Sequence, residues 1–272
     1  MSRTILFADI LGFGNLARSP GAEGAKDALS DVAYLLATED ELVQFLRQPV
    51  WKERYGLSDS IFLIAEDPLP ACAAAAELFF DLAYVNHSAE APVLIRGALA
   101  QGEAHQVKPI FPESAKFNLV GEAVVRAVAL EEEGPKGPRL LLADEVAKAW
   151  ELSEQPGDWL LDRNAAGQAE LLWLLPPDPA LSNGLLIGEV SGTALRLSLA
   201  HGANPRFGYH YIGYLDLVLR SLQRLVAKSP QEGRTALETC GLADNRAALE
   251  DLLRSQLNLE SALWERLQDL TA

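Results

Sequence analysis

The chain has 272 residues, 49% hydrophobic and 22% charged, which supplies enough apolar surface to offset the chain entropy lost on folding and excludes wholesale disorder. Its 38 acidic and 23 basic residues leave a net charge of −15 with no basic run, so a phosphate-tracking nucleic-acid binder is excluded and no nucleic-acid partner is expected. Length alone suggests about two domains, or one domain with an extension.

Residues 4–10, TILFADI, are almost wholly apolar and predict a buried strand ending at Asp9 and Ile10. The Asp9 that interrupts this run, and the lack of a small-residue cleavage site, argue against a signal peptide. Gly12, Phe13 and Gly14 predict a tight turn, followed by a helix over 27–36 that resumes over 39–46. Residues 55–66, YGLSDSIFLIAE, predict a strand or a hairpin turning at Ser58–Asp59. An alanine-rich helix is expected over 70–85. Glu77 and Asp81 make it too polar and too short to span a membrane. A strand follows over 92–100, ended by Gly102, then a polar connection over 103–118. GEAVVRAVALEE, 121–132, predicts a helix stopped by GPKGP, with Glu131–Glu133 as its solvated end. Strands over 139–143 and 169–175 flank a short helix over 145–150.

The resulting order, β-α-β-β-α-β with additions, predicts an α+β domain over 1–178 with a ferredoxin-like sheet and helices on one face. The remainder, 179–272, reads as a mainly helical extension, with helical patterns from Gly208 onward and in RAALEDLLRSQL and ESALWERLQDL. The aromatic group Phe207, Tyr209, Tyr211 and Tyr214 is read as packing or a subunit contact. Cys72 and Cys240 are too few for a disulfide framework, are expected buried as free thiols, and fit a reducing, cytoplasmic compartment. The four histidines show no ligand spacing.

Two segments can carry chemistry. In FADILGFG, 7–14, a carboxylate at a strand tip offers a rigid hard-oxygen ligand, and the Ile10 carbonyl a second. The Gly12-Phe13-Gly14 turn can aim backbone N–H groups at phosphate oxygens. The alternative is that Asp9 only caps the turn. In SDS, 58–60, Asp59 stands at a hairpin. If the strands of Asp9 and Asp59 are neighbours, their tips lie about 5 Å apart. Two carboxylates so placed repel unless cations sit between them, an arrangement suited to clamping a triphosphate.

These segments, F-x-D-I-x-G-F and the S-D hairpin, are followed by I-R-G-A-x-x-x-G-E at 95–103 and L-V-G-E-A-V-x-x-A-x-x-L-E at 119–131. In that order and spacing they resemble the class III nucleotide cyclase domain over about residues 4–150. The resemblance implies a ferredoxin-like core dimerised head to tail, with Asp9 and Asp59 as the metal acids. Departures are equally informative. Where adenylate and guanylate cyclases carry a purine-reading Lys, this chain has Tyr55, and near their second base reader it has Asn118. Val125 and Ala129 stand where the family's ribose and transition-state residues belong.

The variant spelling I-R-G-A…G-E…V-G-E-A-V-V-R-A…L-E-E…G-P-R-L-L-L-A is similar to the pyrimidine nucleotide cyclases of the bacterial Pycsar antiphage systems. That likeness implies conversion of UTP or CTP to 3′,5′-cyclic UMP or cyclic CMP plus pyrophosphate, with two Mn²⁺ or Mg²⁺ ions. It also implies a homodimer and a separate effector that responds to the product; with no span long and apolar enough to cross a membrane, no membrane partner is expected. On this reading Asp9, Ile10 and Asp59 hold metal. Gly12, Phe13 and Gly14 contact phosphates, and Tyr55 and Asn118 shape the base pocket. Arg96 and Arg126 are candidates for the missing transition-state cation, their alternatives being a structural ion pair and a solvent-facing helix residue. Lys108, Lys116 and Arg139 are read as solvated. Two other functions stay open: a non-catalytic nucleotide-binding or interaction module, and a diverged adenylate or guanylate cyclase.

Overall fold

In the computed structural model, alternate residues of the first strand, β1 (Ser2–Ile10), face two different helical layers: Ile5 and Phe7 on one side, Leu6, Ala8 and Ile10 on the other. The structure describes residues 2–18, 23–46, 50–89, 92–107, 118–153, 157–255 and 261–271. A turn at Leu11–Gly12 leads into α1 (Phe13–Ala17), α2 (Glu23–Leu46) and the hairpin β2 (Glu53–Leu57) and β3 (Ser60–Ala65). Then come α3 (Pro68–Val85), β4 (Ile95–Glu103), the ribbon β5 (His105–Val107) and β6 (Asn118–Val120), and α4 (Glu122–Glu133). β7 (Leu140–Leu142), α5 (Asp144–Glu151), α6 (Gly157–Leu160), β8 (Leu161–Arg163) and β9 (Ala169–Leu171) complete the sheet region. A 3₁₀ turn at Pro179–Leu181 precedes α7 (Gly184–His201), α8 (Gly208–Lys228), α9 (Pro230–Cys240), α10 (Leu242–Ser255) and α11 (Ser261–Thr271).

The fold is mixed α+β. Its main sheet has the order β2-β3-β1-β4-β7-β9-β8. β1 is antiparallel to both β3 and β4, and β7 is parallel to β4. The first four strands, β2-β3-β1-β4, connected through α2 and α3, make the expected ferredoxin-like core. α2 and α3 share a core with Leu6, Ala8 and Ile10, whereas α4 covers Ile5 and Phe7 through Ala123 and Ala127. The expectation of helices on one face is thus corrected: a central strand apolar at nearly every position needs cover on both.

Other boundaries shift for local reasons. α2 runs unbroken through 37–38, and the strand expected from 92 begins at Ile95 and continues through Gly102. β9 stops at Leu171, and residues 172–175 are buried without joining a ladder. α3 starts where Asp67 accepts a hydrogen bond from the Leu69 N–H, with Pro68 in its first turn. It is the one described helix long and apolar enough to cross a membrane by length and composition, and it is half buried inside the protein. Both cysteines are buried and free.

Two helices of the C-terminal part, α7 and α9, escaped the sequence reading because glycines stand where helix formers are expected. Here small residues serve contact. A Cβ on Gly188 would lie 2.5 Å from the Thr239 Cβ, and one on Gly184 would lie 2.3 Å from the Glu232 carbonyl oxygen. Gly213 of α8 abuts the Lys136 carbonyl in the same manner, at 2.0 Å.

A buried charge network ties this helical layer to the sheet. Glu170 on β9, fully buried, accepts from Arg139 at 2.9 and 3.1 Å and from Arg220 of α8 at 2.5 Å. Arg139 also reaches Asp216 at 2.9 Å, and Arg220 reaches Asp216 at 3.1 Å and Asp162 at 2.8 Å. Arg266 of α11 closes the group on Asp216 at 2.6 Å. Burial opposes ionisation of Asp216, but Arg139, Arg220 and Arg266 outweigh it and hold its carboxyl below the usual range. Arg139 is therefore a buried structural residue and not the solvated one expected. Replacing Glu170 by Leu leaves two guanidinium groups without their shared acid. Urea denaturation is expected to show a loss of about 3–5 kcal/mol, against no more than about 0.5 kcal/mol for the exposed Glu103→Gln.

Candidate active site

β1 ends where the sheet's two neighbouring strands place charge beside it. In register, Asp9 stands between Ser60 of β3 and Arg96 of β4. Asp59 occupies the β2–β3 turn, where Ser58 adopts φ +58°, and the Ile10 N–H donates to the Asp59 carbonyl at 3.1 Å. The two expected acids are thus brought to one end of one sheet, and each strand tip is tied to the other through backbone. Ser60 Oγ donates to Asp9 Oδ1 at 3.4 Å, and Arg96 Nη2 lies 3.8 Å from Asp9 Oδ2.

Burial raises the proton affinity of Asp9 above its ordinary value, and Asp59 raises it further, against the opposing pull of Arg96 and Ser60. Two hard-oxygen side chains at one sheet end, with the Ile10 carbonyl next to Asp9, suit a divalent cation. Among the described residues no group of three or more His, Cys, Asp or Glu side chains forms a metal cluster.

Arg96 is engaged twice. Besides Asp9 it contacts Glu131, at the end of α4, through Nε. Neither that nitrogen nor the facing Glu131 oxygen has an aligned hydrogen bond. The Glu131 side chain is only 3% exposed. Burial and the nearby Asp9 raise its proton affinity, opposed by Arg96. From the sequence, Glu131 belongs to a solvated charge run. The signal that would have found it is helical phase, since Ala123, Ala127 and Glu131 form the one buried stripe of α4. The second missed residue, His210, opens α8 beside this end of the sheet and accepts from the Gly137 N–H at 3.3 Å. No spacing in the sequence points to it.

The remaining candidates divide. Arg126 is held by Glu145 of α5 and by Glu122, and Glu145 also accepts from the Gln101 N–H. Its guanidinium is therefore committed to joining α4, α5 and β4. Gly12 adopts φ +77° and makes the turn, whereas Phe13 and Gly14 belong to α1, and Phe13 packs partly buried against the larger core. The tight turn is thus shorter than Gly12-Phe13-Gly14.

Tyr55 lies on the sheet face of Asp9. It pairs with Phe62, which pairs with Phe7, two residues before Asp9. Its hydroxyl donates to Glu53, itself paired with Arg3, and accepts from Gln106 at 2.9 Å. Burial, then Glu53, pushes it up to about 12, so it remains a neutral donor at physiological pH. Gln106 stands opposite Leu119, the neighbour of Asn118, so Tyr55 and β6 are linked. The Asn118 side chain, Lys108 and Lys116 lie outside the described residues.

No family model matches this chain, and no curated protein does. Similar solved structures include the adenylyl cyclase CyaB from P. aeruginosa (14% identity, TM-score 0.46, covering 62% of this chain and 91% of that one). The guanylyl cyclase Cya2 (15%, 0.44, 63% and 89%) and an adenylate cyclase from Trypanosoma brucei (15%, 0.43, 62% and 87%) are others. These are likenesses of chain course only.

Because the folded chain holds a proton on Asp9 more tightly than the unfolded chain does, stability falls as pH rises above 3.8 toward the raised value. Above that value the ionised Asp9 destabilises the cation-free fold in full. Asp9→Asn is expected to raise Tm in chelator at pH 7, and the gain should vanish as pH falls below 3.8. Thermal unfolding at several pH values checks this.

Proposed function

We propose that the chain is a nucleotide cyclase for a pyrimidine nucleoside triphosphate, UTP or CTP, forming the 3′,5′-cyclic monophosphate and pyrophosphate. The observation that carries this reading is the meeting of Asp9 and Asp59 at one sheet end, with Tyr55 on the same face where a purine reader would be Lys. In the reaction the ribose 3′-oxygen bonds to the α-phosphorus, the α–β phosphoanhydride bond breaks, and the hydroxyl proton is released.

Asp9 and Asp59, with the Ile10 carbonyl, fit two Mn²⁺ or Mg²⁺ ions, which when bound polarise phosphate oxygens and acidify a hydroxyl. Gly12, whose φ of +77° turns the chain beside this end, supports the 10–14 segment as phosphate-facing backbone. Arg96, positioned beside Asp9 by Asp9 and Glu131, is the cation proposed to meet the developing phosphate charge. Tyr55, fixed by Glu53 and Gln106, presents a neutral aromatic edge to a smaller base, and Asn118 adds an amide that can both donate and accept. A homodimer is supported by Val107, Val120 and Val125, which stay exposed on β5, β6 and α4. The motif likeness supports a role in antiphage signalling through a separate effector, in the cytoplasm.

A second reading, a nucleotide-binding module without turnover, is favoured by α4, where Val125 is 68% exposed and carries no polar group. Incubation with Mn²⁺ and all four ribonucleoside triphosphates, read by mass spectrometry, separates the readings. Cyclic UMP or cyclic CMP is expected. Cyclic AMP or GMP would keep the chemistry and overturn the base assignment, and triphosphate binding without product would favour the module. Asp9→Ala should lower turnover by about 10²–10⁴-fold while the fold persists.

A further inference from the structure

The segment between α4 and β7 stands between the acid site and the helical layer, and its residues 137–139 are held by hydrogen bonds. The Gly137 N–H donates to His210 Nδ1 at 3.3 Å. The Arg139 N–H donates to the Gly137 carbonyl at 2.9 Å. Trp173 Nε1 donates to the Pro138 carbonyl at 2.6 Å. On its other side, the Gly97 N–H donates to the Arg139 carbonyl at 2.8 Å, one residue from Arg96. The partner of Arg96, Glu131, lies just upstream on the same piece of chain.

α8 closes on this segment at a distance only glycine allows. Gly137 adopts φ +109°, and a Cβ there would meet the Gly213 carbonyl carbon at 3.0 Å and the His210 carbonyl oxygen at 3.1 Å. Burial, then Arg96 and Lys136, pushes the His210 imidazole down to about 4, so it faces the segment uncharged and keeps its acceptor nitrogen. A helix from outside the ferredoxin-like core thus grips the backbone that sets both Arg96 and Glu131.

We propose that His210 is a positioning residue for Arg96: by accepting the Gly137 N–H it fixes residues 136–139 against β4 and so holds the Arg96 guanidinium toward Asp9 and Glu131. The inference rests on the cyclase reading for its catalytic meaning, but not for its geometry. A purely space-filling role for His210 would be met by any ring of similar size. The acceptor role would be met by a smaller side chain with an oxygen at the same reach.

Those two alternatives define the test, made on the full chain. His210→Phe keeps a ring and removes the acceptor, and His210→Asn restores an acceptor. With arginine ¹⁵N-labelled, the Arg96 Nε–H resonance is assigned by its loss in Arg96→Lys. In His210→Phe it is expected to shift and broaden, with Tm lower by no more than about 4 °C, and in His210→Asn to return. With UTP or CTP, His210→Phe should lower kcat about tenfold with KM within about twofold, since small misplacements of a charge-stabilising group are costly. An unmoved Arg96 resonance in folded His210→Phe overturns the proposal, as does wild-type kcat in that variant. A wild-type chain that makes no cyclic product would instead overturn the cyclase reading, and the resonance would still decide the role of His210.

Discussion

Glu170 is fully buried and ionically bound to two arginines, and the placement of the helical layer follows from that. Desolvating a carboxylate is tolerable only with well-aligned partners. Its partners come from three elements: Arg139 before β7, Arg220 from α8, and through Asp216 also Arg266 from α11. Satisfying one buried acid therefore sets the height and rotation of α8 against the sheet. With α8 so placed, Gly213 and His210 arrive at the segment that borders the acid site. The charge network supplies registry more than net stability, a use for which buried ion pairs suit better than hydrophobic contacts of the same size.

The acid site obeys the opposite logic. Asp9 and Asp59 sit at a strand tip and a turn, where Arg96 and Ser60 only partly offset the effect of burial and of Asp59 on Asp9. The network at Glu170 closes on itself with nearly every carboxylate oxygen used. The acid pair is left partly uncompensated and partly open. Local destabilisation held in place by a rigid sheet is what the proposed cation and triphosphate would relieve.

Much of this was readable from short-range pattern. The strand ending at Asp9, the hairpin carrying Asp59, the α3 and α4 helices and α8 follow from alternation, turn chemistry and helical period. What escaped the reading is what depends on distant chain. Arg139 looked solvated because its acids lie 31 and 77 residues away. Glu131 looked like a helix-end charge because Arg96 was not known to face it. α7 was obscured by glycines whose use is visible only when α9 is laid beside them. β8, three residues long, is too short to show a period. Arg126, by contrast, carries the right charge in a suggestive position, yet Glu145 and Glu122 account for it.

The spacing of the network in the chain also bears on how the protein is made. Glu170 and Arg139 leave the ribosome before Arg220, which follows Glu170 by 50 residues. At about 5–20 residues per second that is a delay of about 3–10 s. During it the nascent sheet carries a carboxylate that cannot be buried with its full set of partners, so its far edge, β7-β9-β8, has reason to stay unsealed. β1, β3 and β4 lie within the first 103 residues and need none of those partners. Synthesis order thus favours a chain that assembles its acid-bearing core early and locks the opposite edge only when the last helices arrive.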